Sequence, residues 1–349
     1  MEHASPVGES APCVIATNRL SRSFGKLVAV NALNLEVRRG DVFGFLGPNG
    51  SGKTTTIRML LGLIAPTSGE ARLFGMNIAA HKRDILPRIG AIIETPVFYP
   101  YLSGVDNLRA VAANSGMRIG AINERRIQEV LDLVDLTRQA KDAYRKYSLG
   151  MKQRLGIGAA LLADPELILL DEPTNGLDPL GVHEIRELIL RLGALGKTIF
   201  LSSHILYEVQ QVCNRVAILQ RGTLVKQGVV SELLRQGERI ALRLDTPEET
   251  REALAVLQQA RTQDAPWIAG AELNSEAGRQ GTILLDAPGE RASQVTALLA
   301  RHNLYVAELA HRQSTLEEIF LELMEPGENL ARRPGMAELV GATSQQNRK

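Results

Sequence analysis

The chain has 349 residues, enough for two domains or for one large domain with an appendage. Apolar residues make up 44% and charged residues 23%, with a formal net charge of +1, so there is no bulk argument for nucleic-acid binding and no nucleic-acid partner is expected. Cys13 and Cys213 lie outside any metal-ligand spacing, Met1 to Pro12 lacks the apolar core of a secretory signal, and no apolar run approaches the ~18 residues of a membrane span.

Residues 1–13 read as a loose leader rich in Pro, Ser and Gly. Val14-Ile15-Ala16 is a first strand signal, and Leu33-Asn34-Leu35-Glu36-Val37 alternates with period two as a second. The apolar run Val42-Phe43-Gly44-Phe45-Leu46 reads as a buried strand. Directly after it stands Gly47-Pro48-Asn49-Gly50-Ser51-Gly52-Lys53-Thr54, which fits the P-loop pattern in full. Thr55 to Leu61 then places apolar residues at helical spacing. Glycines let the backbone N–H groups come close to phosphate oxygens, and the positive end of the helix dipole helps. Lys53 would reach the β/γ-phosphates, and the Thr54 hydroxyl would bind Mg²⁺. An ordinary Gly-rich turn before a helix is the bland alternative, but it does not explain eight matching positions with fitting flanks. The loop predicts a nucleoside triphosphate, without saying which one or for what use.

Residues from about 103 to 147 lack strand signals and read as helices; Ile127, Val130, Leu131 and Val134 share one helical face. Short apolar runs return at Leu167–Leu170, Thr198–Leu201 and Val216–Leu219, separated by helical patterns. A parallel sheet with crossover helices is the expected outcome. The first of these runs ends in Asp171-Glu172, and a parallel sheet places ligands at that end of its strands. Asp171 suits a Mg²⁺ shell, and Glu172 suits a general base that polarises an attacking water. Two solvated carboxylates ending a strand would be the bland reading.

A composition shift near Gly228 to Gly237 introduces a second pattern. Strands are expected at Ile240–Leu244, Trp267–Leu273, Thr282–Leu285 and Leu304–Leu309, with helices at Pro247–Arg261 and Arg291–His302. That β-α-β-β-α-β order describes a small α+β appendage. A closing helix is expected over Glu317–Met324 with Ser314 as its N-cap, and 326–349 reads as a disordered tail.

Just before the carboxylate strand comes Tyr147-Ser148-Leu149-Gly150-Met151-Lys152-Gln153-Arg154-Leu155. With this run the chain resembles, over roughly residues 14–230, the nucleotide-binding domain of ATP-binding-cassette (ABC) transporters. The resemblance implies an α/β P-loop NTPase core over 14–232, with a helical subdomain at about 95–155 and an N-terminal antiparallel β subdomain. It also implies ATP, with Thr55 joining the loop residues that bind it, and a small α+β accessory or dimerisation domain over 238–325. Ser148 and Gly150 match signature residues that bind the γ-phosphate of ATP held by an opposite subunit. A sandwich of two such subunits, identical or paralogous, is therefore implied.

Further positions match the family. Phe24 stands where an aromatic stacks on adenine, with a core aromatic as the alternative. Gly176-Leu177-Asp178 matches the D-loop, and His204 matches the switch histidine that contacts γ-phosphate. Glu94 stands where the family usually carries the Q-loop glutamine. A glutamine amide donates and accepts, whereas an ionised glutamate only accepts; Glu94 suits a metal-bound water but would repel a nearby phosphate. Leu149 replaces the signature's first glycine, and Met151 its glutamine. The runs Ile93 to Ser103 and Tyr147 to Met151 look like the bacitracin- and drug-resistance branch of exporters, whose cassette subunits pair with a separate membrane permease. A cytoplasmic subunit, peripheral on the inner face of the membrane, is implied. Glu94 to about Leu108 would be the coupling surface, where Phe98, Tyr99 and Tyr101 suit either an interface or the subdomain's own core. Two other readings are a soluble cassette ATPase acting on ribosomes or DNA and a small-molecule kinase. One P-loop, one signature and no sustained heptads weigh against the first. Ser148, Gly150 and His204, which a kinase does not need, weigh against the second.

Overall fold

Every residue of the strand Val42–Leu46 is buried, as a strand covered on both faces requires. The computed structural model describes residues 11–94, 96–115, 121–235, 239–263, 265–274, 281–312 and 314–324. The residues read as leader and tail thus lie almost wholly outside those described. The chain divides into two compact units, Met1–Val230 and Ser231–Lys349.

The first unit is built on a six-stranded sheet. Its order is Thr223–Val229, Arg215–Gln220, Val42–Leu46, Thr198–Ser203, Leu167–Asp171 and Ile89–Ile92. The pairings are parallel except at the Thr223–Val229 edge. The strand Thr198–Ser203 therefore lies between the P-loop strand and the carboxylate strand. Its end pairs with both, Ser203 opposite Leu46 and Ser202 opposite Asp171. Phe200 stacks on Phe43 at 5.7 Å between ring centroids and tilts against Phe45 at 5.2 Å. Such aromatic pairs contribute roughly 0.5–1.5 kcal/mol each beyond burial, which fixes the floor beneath the site.

A second, antiparallel sheet runs Leu27–Leu33, Cys13–Phe24, Ser68–Leu73 and Met76–Asn77, with Glu36–Arg38 also paired to Cys13–Phe24. One apolar cluster joins Ile15, Leu20 and Val30 of this sheet to Ile57 and Leu60 of the helix Lys53–Leu60 and to Phe43 and Phe45. The single strand expected over Leu33–Val37 is broken at Asn34-Leu35. Thr17 is the cause: its hydroxyl donates to the Leu33 carbonyl and accepts from the Leu35 N–H, both at 2.8 Å. The alternation survives the break, since Leu33, Leu35 and Val37 are all buried.

Of the stretch from 103 to 147 expected to be helical, Gly104–Asn114 and Ala121–Leu133 are helices, whereas 134–147 turns and holds only the short 3-10 segment Tyr144–Lys146; the helix Leu149–Leu161 follows. Ile127, Val130, Leu131 and Val134 are all buried. Ser103, Ser148 and Asp178 each cap a helix by accepting from a backbone N–H three residues on.

The second unit has a four-stranded antiparallel sheet in the order Gly270–Leu273, Thr282–Asp286, Arg239–Arg243, Glu308–Arg312. Its helices are Pro247–Gln263 and Ala292–Ala300, and Ile240, Leu242, Ile283 and Leu285 share a cluster with Leu257, Val295 and Leu299. Three expectations are corrected here. Trp267 and Ile268 precede the strand, because the Ile268 N–H closes a turn on the Ala265 carbonyl at 2.9 Å. The last strand starts at Glu308 rather than Leu304. Leu304 instead terminates the preceding helix: Asn303 is left-handed (φ 59°), the Leu304 N–H bonds the Leu299 carbonyl, and its side chain is buried. The closing helix, Leu316–Met324, is capped by Thr315, one position after the expected Ser314. Thr315 and Glu318 form a reciprocal capping box, with bonds of 3.1 and 3.2 Å.

Candidate functional site

The P-loop begins where the buried strand ends. Its shape depends on Gly52, whose φ of 104° is foreign to L side chains and whose added Cβ would lie 2.4 Å from the Ala29 carbonyl oxygen. Pro48, Asn49 and Gly50 are exposed at the rim; Gly47, Ser51 and Gly52 are buried, and Thr54 and Thr55 are half-buried. The Ser51 hydroxyl is buried without a hydrogen-bond partner among the described residues. An orphaned donor in a glycine-rich turn at a helix N-terminus fits an anionic ligand.

Lys53 is buried and folded back over this loop. Its Nζ donates to the Gly47 carbonyl at 2.6 Å and the Pro48 carbonyl at 3.2 Å, and lies 3.1 Å from Glu172 Oε1. The other Glu172 oxygen is 2.8 Å from His204 Nδ1. Three residues named from separate motifs thus form one continuous chain of contacts. Glu172 has φ 48°, a left-handed backbone that a non-glycine residue adopts at a cost of order 1–3 kcal/mol. That turn directs the carboxylate toward Lys53 and His204.

Ser202 is the residue that sequence reasoning missed. Fully buried, it donates from Oγ to Asp171 Oδ1 at 2.6 Å and accepts from the Glu172 N–H at 2.9 Å. One hydroxyl therefore ties the Asp171 carboxylate to the Glu172 backbone. Asp171 Oδ2 has no hydrogen-bond partner among the described residues; with the Thr54 hydroxyl it offers the hard oxygens that Mg²⁺ prefers. Ser202→Ala is expected to destabilise the fold by roughly 1–3 kcal/mol, because it orphans a buried N–H. It is also expected to slow phosphate release by about tenfold, the equivalent of ~1.4 kcal/mol. Denaturation midpoints and a phosphate-release assay check the two effects.

The remaining candidates are dispersed. Phe24 is 46% exposed, which rules out the core alternative, and one ring face is covered by the Arg22 guanidinium 4.6 Å from its centroid. Ser148 and Gly150 open the helix Leu149–Leu161, and among the described residues no hydrogen bond or ion pair joins them to the chain's own P-loop. Leu149 is 44% exposed and lies over the D-loop, where a Cβ on Gly176 would sit 3.6 Å from its Cδ2. Asp178 caps the helix Pro179–Ala194 by accepting from the Gly181 N–H at 3.0 Å. Glu94 is gripped by Arg58, a partner the sequence did not indicate. Phe98 packs edge-on against Tyr144 at 5.2 Å, whereas Tyr99 and Tyr101 are 65% and 79% exposed, so the aromatic trio splits between core and surface. Thr95 lies outside the described residues.

The ABC transporter family model matches residues 30–175. The chain is 39% identical over 315 residues to a bacitracin transport ATP-binding protein of Bacillus licheniformis, covering 90% of this chain and 98% of that protein. The chain belongs to the ATP-binding subunits of ABC transporters. This ABC subunit is also 33% identical to a Nod factor export ATP-binding protein of Cupriavidus pinatubonensis, across 89% of its own length and 90% of the relative's. Among solved structures it resembles an ATP-binding subunit of an ABC transporter, at 32% identity and TM-score 0.57, over 64% of this chain and 92% of that one. The ABC subunit is thus an α/β P-loop ATPase that binds and hydrolyses ATP for a transporter. Among its described residues no helix is long and apolar enough to cross a membrane.

Proposed function

We propose that this ABC subunit hydrolyses ATP at a seam between two such subunits and thereby drives a separate membrane permease that exports its cargo. The observation that carries the reading is the split site. Lys53, Glu172 and His204 meet within one chain, while Ser148 and Gly150 stand on a helix that, among the described residues, makes no bond from them to that chain's own loop. A second copy's Ser148 and Gly150 would complete the phosphate site. The name of one relative, Nod factor export, supports export, and that of another, bacitracin transport, supports transport.

In this reading the P-loop N–H groups, the Ser51 hydroxyl and Lys53 bind the phosphates, and the free face of Phe24 stacks on adenine. Thr54 and Asp171 would hold Mg²⁺, with Glu94 toward its water shell. When bound, the ion would supply charge neutralisation to the phosphates. Lys53 leaves the loop carbonyls and Glu172 for phosphate, which frees the Glu172 carboxylate. Glu172 then takes the proton of the water that attacks the γ-phosphorus, and the bond to the ADP oxygen breaks. His204 keeps Glu172 aimed and senses the γ-phosphate. Asp178 spans the seam from its helix cap. Residues 14–232 form the ATPase domain, and 238–325 a dimerisation or regulatory module.

The permease contact is assigned to the exposed Val97, Tyr99 and Tyr101, and it holds the subunit at the inner membrane face. Affinity purification of the tagged subunit in mild detergent tests this. A polytopic membrane protein is expected to copurify, and Tyr101→Glu with Val97→Glu is expected to release it. Recovery of the subunit alone from wild-type membranes would overturn the reading.

A further inference from the structure

We infer that Arg58 is a positioning residue, whose grip on Glu94 ties the loop after the strand Ile89–Ile92 to the P-loop helix. The inference rests on the reading of residues 47–54 as the ATP site, and it adds a contact that the motifs do not contain.

Arg58 lies on the helix that opens with Lys53, and its Nη2 donates to Glu94 Oε1. Glu94 has φ 63°, a left-handed backbone with a cost of order 1–3 kcal/mol that surrounding contacts must offset. Two residues on, Pro96 is wedged against the helix Leu149–Leu161: a Cβ on Gly156 would fall 2.4 Å from Pro96 Cγ. The Pro96 carbonyl also accepts from the Tyr144 hydroxyl at 3.0 Å. The segment is thus held at one end by the helix carrying Lys53 and near its other end by the helix that Ser148 caps.

Charge explains why the clasp is an arginine. A glutamine here is neutral and needs no counter-ion. A carboxylate near bound phosphates repels them unless a cation accompanies it, and Arg58 supplies that cation. The two side chains are 42% and 67% exposed, so the pair adds little to global stability, roughly 0.2–1 kcal/mol. A contact this weak can order a loop and still release it.

The test has one arm without nucleotide and one with it. Hydrogen exchange of the Tyr99 amide, which donates to Asn107 Oδ1 at 2.8 Å, is expected to rise about threefold to fivefold in Arg58→Ala without nucleotide, within the range of an exposed pair. The unfolding midpoint should stay within error, and Arg58→Lys should recover most of the protection. In EDTA, the Kd for ATP is expected to rise about fivefold in Arg58→Ala and to return toward wild type in Arg58→Ala/Glu94→Gln, where no lone carboxylate remains. Unchanged exchange in Arg58→Ala, or no recovery in the double variant, would overturn the inference. A chain that loosens at Tyr99 on Arg58→Ala yet binds no ATP would sink the ATP-site reading and uphold the clasp. Normal ATP binding with unchanged exchange would sink the clasp alone.

Discussion

Glu172→Gln is expected to reduce phosphate release by about 10²–10⁴-fold while ATP still binds. The amide keeps the shape of the side chain but cannot take a proton from water. It also removes the negative charge that lies 3.1 Å from Lys53, so Lys53 is freer to meet phosphate. The variant should therefore accumulate on ATP as a two-subunit species, because closure proceeds and hydrolysis does not. Light scattering with and without ATP reads the mass, and single-turnover phosphate release reads the chemistry. Turnover at the wild-type rate would remove Glu172 from the role of base.

Gly52→Ala is expected to be the most damaging single methyl group in the P-loop. At φ 104° an L residue carries roughly 1–3 kcal/mol of backbone strain. Its Cβ would also lie 2.4 Å from the Ala29 carbonyl oxygen, a backbone atom that cannot rotate away. Gly50 makes the comparison sharp: its φ is 79°, but nothing lies within 4 Å of an added Cβ. Gly52→Ala should weaken ATP binding by about 10- to 100-fold, at ~1.4 kcal/mol per factor of ten, and lower the unfolding midpoint. Gly50→Ala should show the smaller loss. Equal effects of the two substitutions would mean that strain alone, without the Ala29 contact, sets the loop.

Much of the site was legible because its parts are local. A strand, a glycine-rich turn and a helix start occupy consecutive residues from Val42 to Leu60, and each is dictated by short-range sterics and periodicity. Asp171-Glu172 was legible for the same reason, as carboxylates closing an apolar run. At Ile268, Leu304 and Leu35 an apolar residue expected in a strand is claimed instead by another bond, local at the first two and long-range at the third. Leu304 looked like a strand residue and is a helix-ending anchor; Leu35 looked continuous with Leu33 until the Thr17 hydroxyl came between them. The Thr315 cap, by contrast, was written locally in the Thr-x-x-Glu spacing to Glu318.

The sequence by itself determined the chemistry on offer: a phosphate loop, a metal-suited aspartate, a base-suited glutamate and a signature helix, together with family membership. Only the tertiary structure decided how these meet. Glu172 reaches Lys53 and His204, and Ser202 orients Asp171, because Thr198–Ser203 is inserted between the P-loop strand and the carboxylate strand. Arg58 finds Glu94 across 36 residues of chain. Such contacts depend on strand order and register, which arise from the packing of the whole sheet and leave no periodic trace in any one segment.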